Sequence, residues 1–158
     1  MPLAEQRTVD VLLIEDDPAD VRLFRESLNE LTEWCTLSVA KTGSEALDRL
    51  FRRGQYAGEK TPDLILLDLN LPILTGHEVL TVLKAMPPLN EIPVIVLTTS
   101  QNPADIRKAY DLGASCYVIK PRDLDAFLGM CKSIYDFWFR RVTFPRPVFP
   151  SKSLASGN

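Results

Sequence analysis

Four small groups of polar residues each follow directly on an apolar run. Glu15-Asp16-Asp17 follows Val9 to Ile14, Asp68 follows Asp63 to Leu67, Thr98-Thr99-Ser100 follows Pro93 to Leu97, and Lys120 follows Ser115 to Ile119. Brought together, these ends supply several carboxylates, a pair of hydroxyls and one ammonium. Carboxylates gathered without a counter-charge repel, by roughly 4 kcal/mol for two unit charges about 4 Å apart at an effective dielectric near 20. A hard divalent cation offsets that repulsion. Magnesium accepts one or two carboxylates, a carbonyl, retained waters and a phosphate oxygen. A lysine and a hydroxyl across the site match the remaining oxygens of a phosphoryl group. Phosphoryl transfer asks for little beyond such positioning and charge neutralisation. Asp68 ends the central run of the set and is the carboxylate best placed to accept the group.

Elements must bring these ends to one place. The apolar runs, with Leu37 to Ala40 as the second in chain order, read as five strands. All but the second are nearly continuous apolar stretches, as expected where both faces of a sheet are covered. Amphipathic stretches follow them. Pro18 to Leu31 opens on a good first turn and carries Val21, Phe24, Leu28 and Leu31 at helical spacing. Ser44 to Arg53, Gly76 to Met86, Asn102 to Leu112 and Asp123 to Arg141 complete the set, the third stopping at Pro87-Pro88. The alternation predicts an α/β fold, a doubly wound five-stranded parallel sheet with helices on both faces. Ligands of such sheets bind beyond the carboxyl ends of the strands, where the four polar groups fall.

At 158 residues, the chain has room for one ordinary domain and a tail. We expect a single domain over residues 9–143, preceded by a flexible N-terminus (1–8) and followed by a Pro-rich tail (144–158). The net charge of −3 offers no basic field for nucleic acid or an anionic membrane. No apolar run approaches the roughly 18 residues of a bilayer span, and the first residues lack the apolar core of a signal peptide. Cys35, Cys116 and Cys131 are odd in number and widely separated, so they read as free, buried thiols in a cytoplasmic protein. The Gln55 to Thr61 connection reads as solvated surface.

The ordered set of residues resembles the receiver domain of two-component response regulators. Glu15 and Asp16 match the family's acidic pair, Asp68 its phosphoacceptor, Thr98 its switch hydroxyl and Lys120 its lysine, and the intervals between them agree. Leu71-Pro72, Gly76 and Lys120-Pro121 match as well, the last being a peptide bond usually cis in the family. The resemblance spans about Asp10 to Arg141 and implies a flavodoxin-like receiver fold. It implies a single-domain regulator that takes a phosphoryl group on Asp68 from a sensor histidine kinase and signals by a change of interaction surface. It implies magnesium, with manganese as a substitute, held directly by Asp16 and Asp68, through water by Glu15, and by the backbone carbonyl of Asn70. Lys120 would pair with the phosphoryl group, Thr98 would move inward to it, Tyr117 would change rotamer, and Thr99 would offer its backbone amide. Asn70 and Ser100 fall where spontaneous loss of the group is tuned. Two or three charge-assisted contacts of roughly 1.5–3 kcal/mol each supply the about 5.5 kcal/mol that inverts a two-state population.

Other readings differ at identifiable residues. A phosphohydrolase with an aspartyl-phosphate intermediate needs an acid two residues after its nucleophile, where this chain has Asn70. A flavin protein needs a phosphate-binding loop where this chain has Glu15-Asp16-Asp17. A phosphorylation-independent adaptor would not need the site. His77, a lone histidine just inside a helix, reads as surface or satisfied core. In the last helix, Phe127, Cys131, Ile134, Tyr135 and Trp138 form a core stripe. Met130, Phe137 and Phe144 fall off it and are expected at a homodimer interface, with packing of the tail as the alternative. The ending Tyr135 to Pro145 resembles regulators that partner phytochrome-type histidine kinases.

Overall fold

A computed structural model describes residues 8–145. The expectations for the N-terminus and for most of the Pro-rich tail fall outside these residues. Five strands, β1 (Val9–Ile14), β2 (Cys35–Ala40), β3 (Leu64–Leu67), β4 (Val94–Thr98) and β5 (Cys116–Ile119), alternate with five helices. The helices are α1 (Pro18–Leu31), α2 (Gly43–Leu50), α3 (Gly76–Lys84), α4 (Pro103–Asp111) and α5 (Leu124–Ile134). All strand pairs are parallel, in the order β2-β1-β3-β4-β5. The chain therefore forms the doubly wound parallel sheet that the alternation predicts, with the flavodoxin-like strand order that the resemblance implies.

The unbroken apolar strands are explained by two cores, one on each face. Leu12 and Ile14, Ile65 and Leu67, and Val94 and Val96 pack with residues of α2, α3 and α4. Their neighbours Val11 and Leu13, Leu64 and Leu66, and Ile95 and Leu97 pack with Phe24 of α1 and with α5. Alternate side chains of a strand point to opposite faces, so both must be apolar when both faces are covered. Phe24 meets Phe127 edge-on with ring centroids 5.1 Å apart, joining α1 to α5.

Local chemistry starts each helix where the sheet needs it. Asp17 caps α1 by accepting from the Ala19 amide, with Pro18 pre-set at the first helical position. Thr75 and Glu78 form a reciprocal capping box on α3. Asn102 caps α4 and Asp123 caps α5. These caps lie on the rim that carries the polar strand ends, and they fix its loops.

Four expectations need correction. Met130 is buried, at 9 % exposure, beside Phe127 and Ile134 in the α1–α5 core. Its position three residues after Phe127 and four before Ile134 puts it on the same helical face, so it offers no surface to a partner. Phe144 also packs against that core rather than standing free. The last helix ends earlier than the spacing suggests, at Ile134, and continues as a π-helical turn over Tyr135–Phe139. The Lys120–Pro121 bond is trans, the cis peptide bond among the described residues being Pro87–Pro88; the small trans preference of prolyl bonds leaves the isomer to its surroundings.

The connection before β3 is pinned as well. Gly54–Tyr56 forms a 3-10 turn, and the Arg49 guanidinium sits 4.4 Å from the Tyr56 ring centroid while pairing with Glu45 and Glu59. Of the cysteines, Cys131 is buried and the other two are half-buried. Burial pushes the Cys35 thiol up to about 12 and Cys131 up to about 11, so both stay protonated near neutral pH.

Candidate functional site

Parallel register sets the ends of β1 and β3 side by side, with Ile14 opposite Leu67. The next residues on each strand, Glu15 and Asp68, therefore emerge together. Both are buried, whereas Asp16 is exposed at the mouth. One oxygen from each of Glu15, Asp16 and Asp68 can be chosen so that all lie within 4.8 Å of one another. Three hard oxygen donors this close, two of them shielded from water, fit a magnesium-like cation better than a soft metal. Asn70, two residues on, is exposed at the same rim and donates its amide to Asp68 Oδ1 over 3.0 Å. That turn constrains the Asp68 side chain.

Lys120 reaches across from the end of β5. Its Nζ donates to Glu15 Oε2 at 2.5 Å, Asp20 Oδ2 at 2.9 Å and Asp68 Oδ2 at 3.1 Å. Burial alone pulls the ammonium down, but hydrogen bonds to Glu15 and Asp20 and the nearby Asp68 charge outweigh it, and the pKa lies above the ordinary lysine value. Lys120 is a fixed cation. Glu15 moves the other way. Its burial pushes the carboxyl up to about 7 against the pull of Lys120, with Asp68 adding to the rise.

The β4 end completes the pocket. Thr98 is fully buried, and its Oγ1 accepts from Asn70 Nδ2 at 3.2 Å and from the Ser100 amide at 3.3 Å. Thr99 is exposed. Tyr117 donates its hydroxyl to the Ser100 carbonyl at 2.9 Å, and Ser100 Oγ donates to Asp105 Oδ2 at 2.6 Å. A continuous hydrogen-bonded path thus runs from Asp68 through Asn70 and Thr98 to the start of α4. His77 joins α3 to the same region, its Nε2 lying 3.2 Å from the Asp105 carbonyl oxygen.

Gly76 is required by close approach. A Cβ there would stand 2.3 Å from the Asp68 carbonyl oxygen and 2.7 Å from Leu69 Cα. The first turn of α3 can therefore seat under the Asp68–Leu69 backbone only with glycine at this position.

The polar residues named from the sequence at the strand ends, Glu15, Asp16, Asp68, Asn70, Thr98, Thr99 and Lys120, fall on this rim, and Tyr117, inside β5, reaches it through its hydroxyl. The interface candidates Phe137 and Phe144 lie away from it, beyond α5. One contributor was missed. Asp20 reads in sequence as an ordinary acid in the first turn of a helix, and only the fold brings it to Lys120. Ile73, in the loop after Asp68, is also notable. It is fully exposed at 103 %, with a left-handed φ of 67° that disfavours β-branched residues.

The chain matches the response regulator receiver domain family over residues 11–132. It is 43% identical over 135 residues to response regulator Rcp1 of Synechocystis sp., covering 85% of this chain and 92% of that one. Among solved structures, the phosphorylated cyanobacterial phytochrome response regulator RcpA superposes with a TM-score of 0.85 at 42% identity, covering 87% of this chain and 99% of that one. The Mn(2+)-bound form of Rcp1 superposes at 0.84, with the same identity and coverage.

Proposed function

The chain belongs to the response regulator receiver family and is a phosphoacceptor of two-component signalling; on that premise we propose that Asp68 is the residue that accepts the phosphoryl group. The observation that carries this reading is the burial of Asp68 at the end of the central strand, between two further carboxylates and the Lys120 ammonium.

In the proposed reaction, an Asp68 carboxylate oxygen attacks the phosphorus of a phosphohistidine on a sensor histidine kinase. The new O–P bond forms as the P–N bond breaks, and the imidazole leaves with the electron pair. Glu15, Asp16, Asp68 and the Asn70 carbonyl would hold a divalent cation, which would supply charge neutralisation for the transferring group. Lys120 keeps a positive charge facing Asp68, where it can pair with the oxygens of the incoming phosphoryl group. Thr99, exposed just after β4, offers its backbone amide to a phosphoryl oxygen. Thr98 leaves its hydrogen bond with Asn70 and donates its hydroxyl to the phosphoryl group, while Tyr117 gives up the Ser100 carbonyl and turns inward. Asn70 and Ser100, which hold Thr98 at rest, tune loss of the group.

The kinase docks, in this reading, on the groove beside Asp16 lined by Pro18, Val21 and Arg22. Likeness to Rcp1 and RcpA supports a phytochrome-type kinase. The exposed Tyr110, Ile119, Leu124, Leu128 and Phe137 on α4, β5, α5 and the turn beyond support a homodimer or output face there. Among the described residues, no helix is long and apolar enough to cross a membrane, and free cysteines favour the cytoplasm.

Intact-mass analysis after incubation with acetyl phosphate and magnesium tests the acceptor. Wild type gains one phosphoryl group and Asp68→Asn gains none. No adduct on wild type, with its histidine kinase also failing to transfer, would overturn the assignment.

A further inference from the structure

Lys120 has three ammonium protons and three carboxylate partners, and the partners differ in what else they must do. Glu15 and Asp68 belong with Asp16 to the group that fits a divalent cation, whereas Asp20 stands outside it. A cation drawing oxygens of Glu15 and Asp68 to itself weakens their hold on Nζ. A phosphoryl group on Asp68 then replaces the carboxylate that Lys120 faces. Asp20 has neither duty, so its carboxylate stays with the ammonium through both events. Its 2.9 Å contact comes from the third residue of α1, a helix anchored by the Asp17 cap and by Phe24 in the core. The Asp20 side chain is 23% exposed, so solvent screens part of its charge. It can orient the ammonium while leaving Lys120 more of its pull on the transferring group than a fully buried carboxylate would.

Resting on the reading of Asp68 as acceptor, we propose that Asp20 is a positioning residue for phosphoryl transfer. It holds Lys120 Nζ facing Asp68 while Glu15 and Asp68 serve the cation and the phosphoryl group. No bond forms or breaks at Asp20.

The test compares Asp20→Asn, which keeps the shape and removes the charge, with Asp20→Glu and with Glu26→Gln. Glu26 pairs with Arg22 on the exposed side of α1 and controls for net charge. With magnesium alone, the 1H–15N signal of the Lys120 ammonium is sharp in wild type and Glu26→Gln. It is lost or broadened in Asp20→Asn. With acetyl phosphate, Asp20→Asn lowers the maximal rate of adduct formation about tenfold, the worth of one charge-assisted hydrogen bond. Its magnesium Kd by calorimetry stays within about twofold of wild type, and Asp20→Glu recovers part of the rate. A sharp Lys120 signal in Asp20→Asn overturns the proposal, as does an unchanged rate or a slowing fully accounted for by weaker magnesium binding. If wild type forms no adduct with acetyl phosphate or with its histidine kinase, the acceptor reading fails, while the ammonium signal still decides the role of Asp20.

Discussion

Glu15 sits beneath the site with its carboxyl raised from the ordinary 4.5 to about 7, chiefly because burial disfavours its charge. Between those values the folded protein holds a proton that the unfolded chain has lost. The stability of the metal-free protein therefore declines as pH rises across that window, and the decline is complete above about 7. A divalent cation must displace the same proton. Magnesium affinity should fall by up to about tenfold for each pH unit below 7. Because the affinity rises with pH, added magnesium should raise Tm more at pH 8 than at pH 6. An equal rise at the two pH values would show that Glu15 is already ionised at the lower one.

At the scale of elements, α5 and the turn after it carry the distinction between core and surface. Met130 belongs to the core and Phe137, 57 % exposed, belongs to the outside. Met130→Ala should cost about 2–5 kcal/mol by leaving a cavity, read as a lower urea midpoint. Phe137→Glu should change stability by no more than about 0.5 kcal/mol, but should halve the mass seen in light scattering if this face joins two copies. A dimer that survives Phe137→Glu would move the interface elsewhere. The shift to a π-helical turn at Tyr135 re-aims the aromatic side chains that follow. Tyr135 meets Phe139 edge-on at 5.6 Å, and Phe137 meets Trp138 at the same distance.

Across the whole molecule, the sheet divides the core in two, and the faces are closed differently. α2, α3 and α4 close one. The other has α1 and α5, and it is completed by Trp138, Phe139 and Phe144 from beyond α5. Fully burying an aromatic of this size contributes about 1.5–3 kcal/mol, and these three are half-buried. Truncation after Ile134 should therefore remove roughly 2–5 kcal/mol of stability. Urea denaturation checks this, and a truncated chain as stable as the full one would show that these aromatics merely rest on the surface.

Much of the site was legible in the sequence because a parallel sheet leaves a plain trace. Apolar runs covered on both faces admit polar residues only where they end, so Glu15, Asp68, Thr98 and Lys120 marked one rim before any coordinates. The starts of α1, α4 and α5 were legible to within a residue for a similar local reason: Pro18, Asn102 and Asp123 are residue types that open a helix. What depended on distant segments was not. The contact of Asp20 with Lys120 joins residues 100 positions apart in the chain, and neither local spacing nor helix chemistry distinguishes it from an ordinary first-turn acid. Met130 and Phe144 were misplaced because apolar residues look alike until a second helix fixes which face is covered. Sequence determined the chemistry of this protein, through residue types at strand ends; tertiary structure decided which charges share the lysine and which aromatics face water, because both depend on packing between segments far apart in the chain.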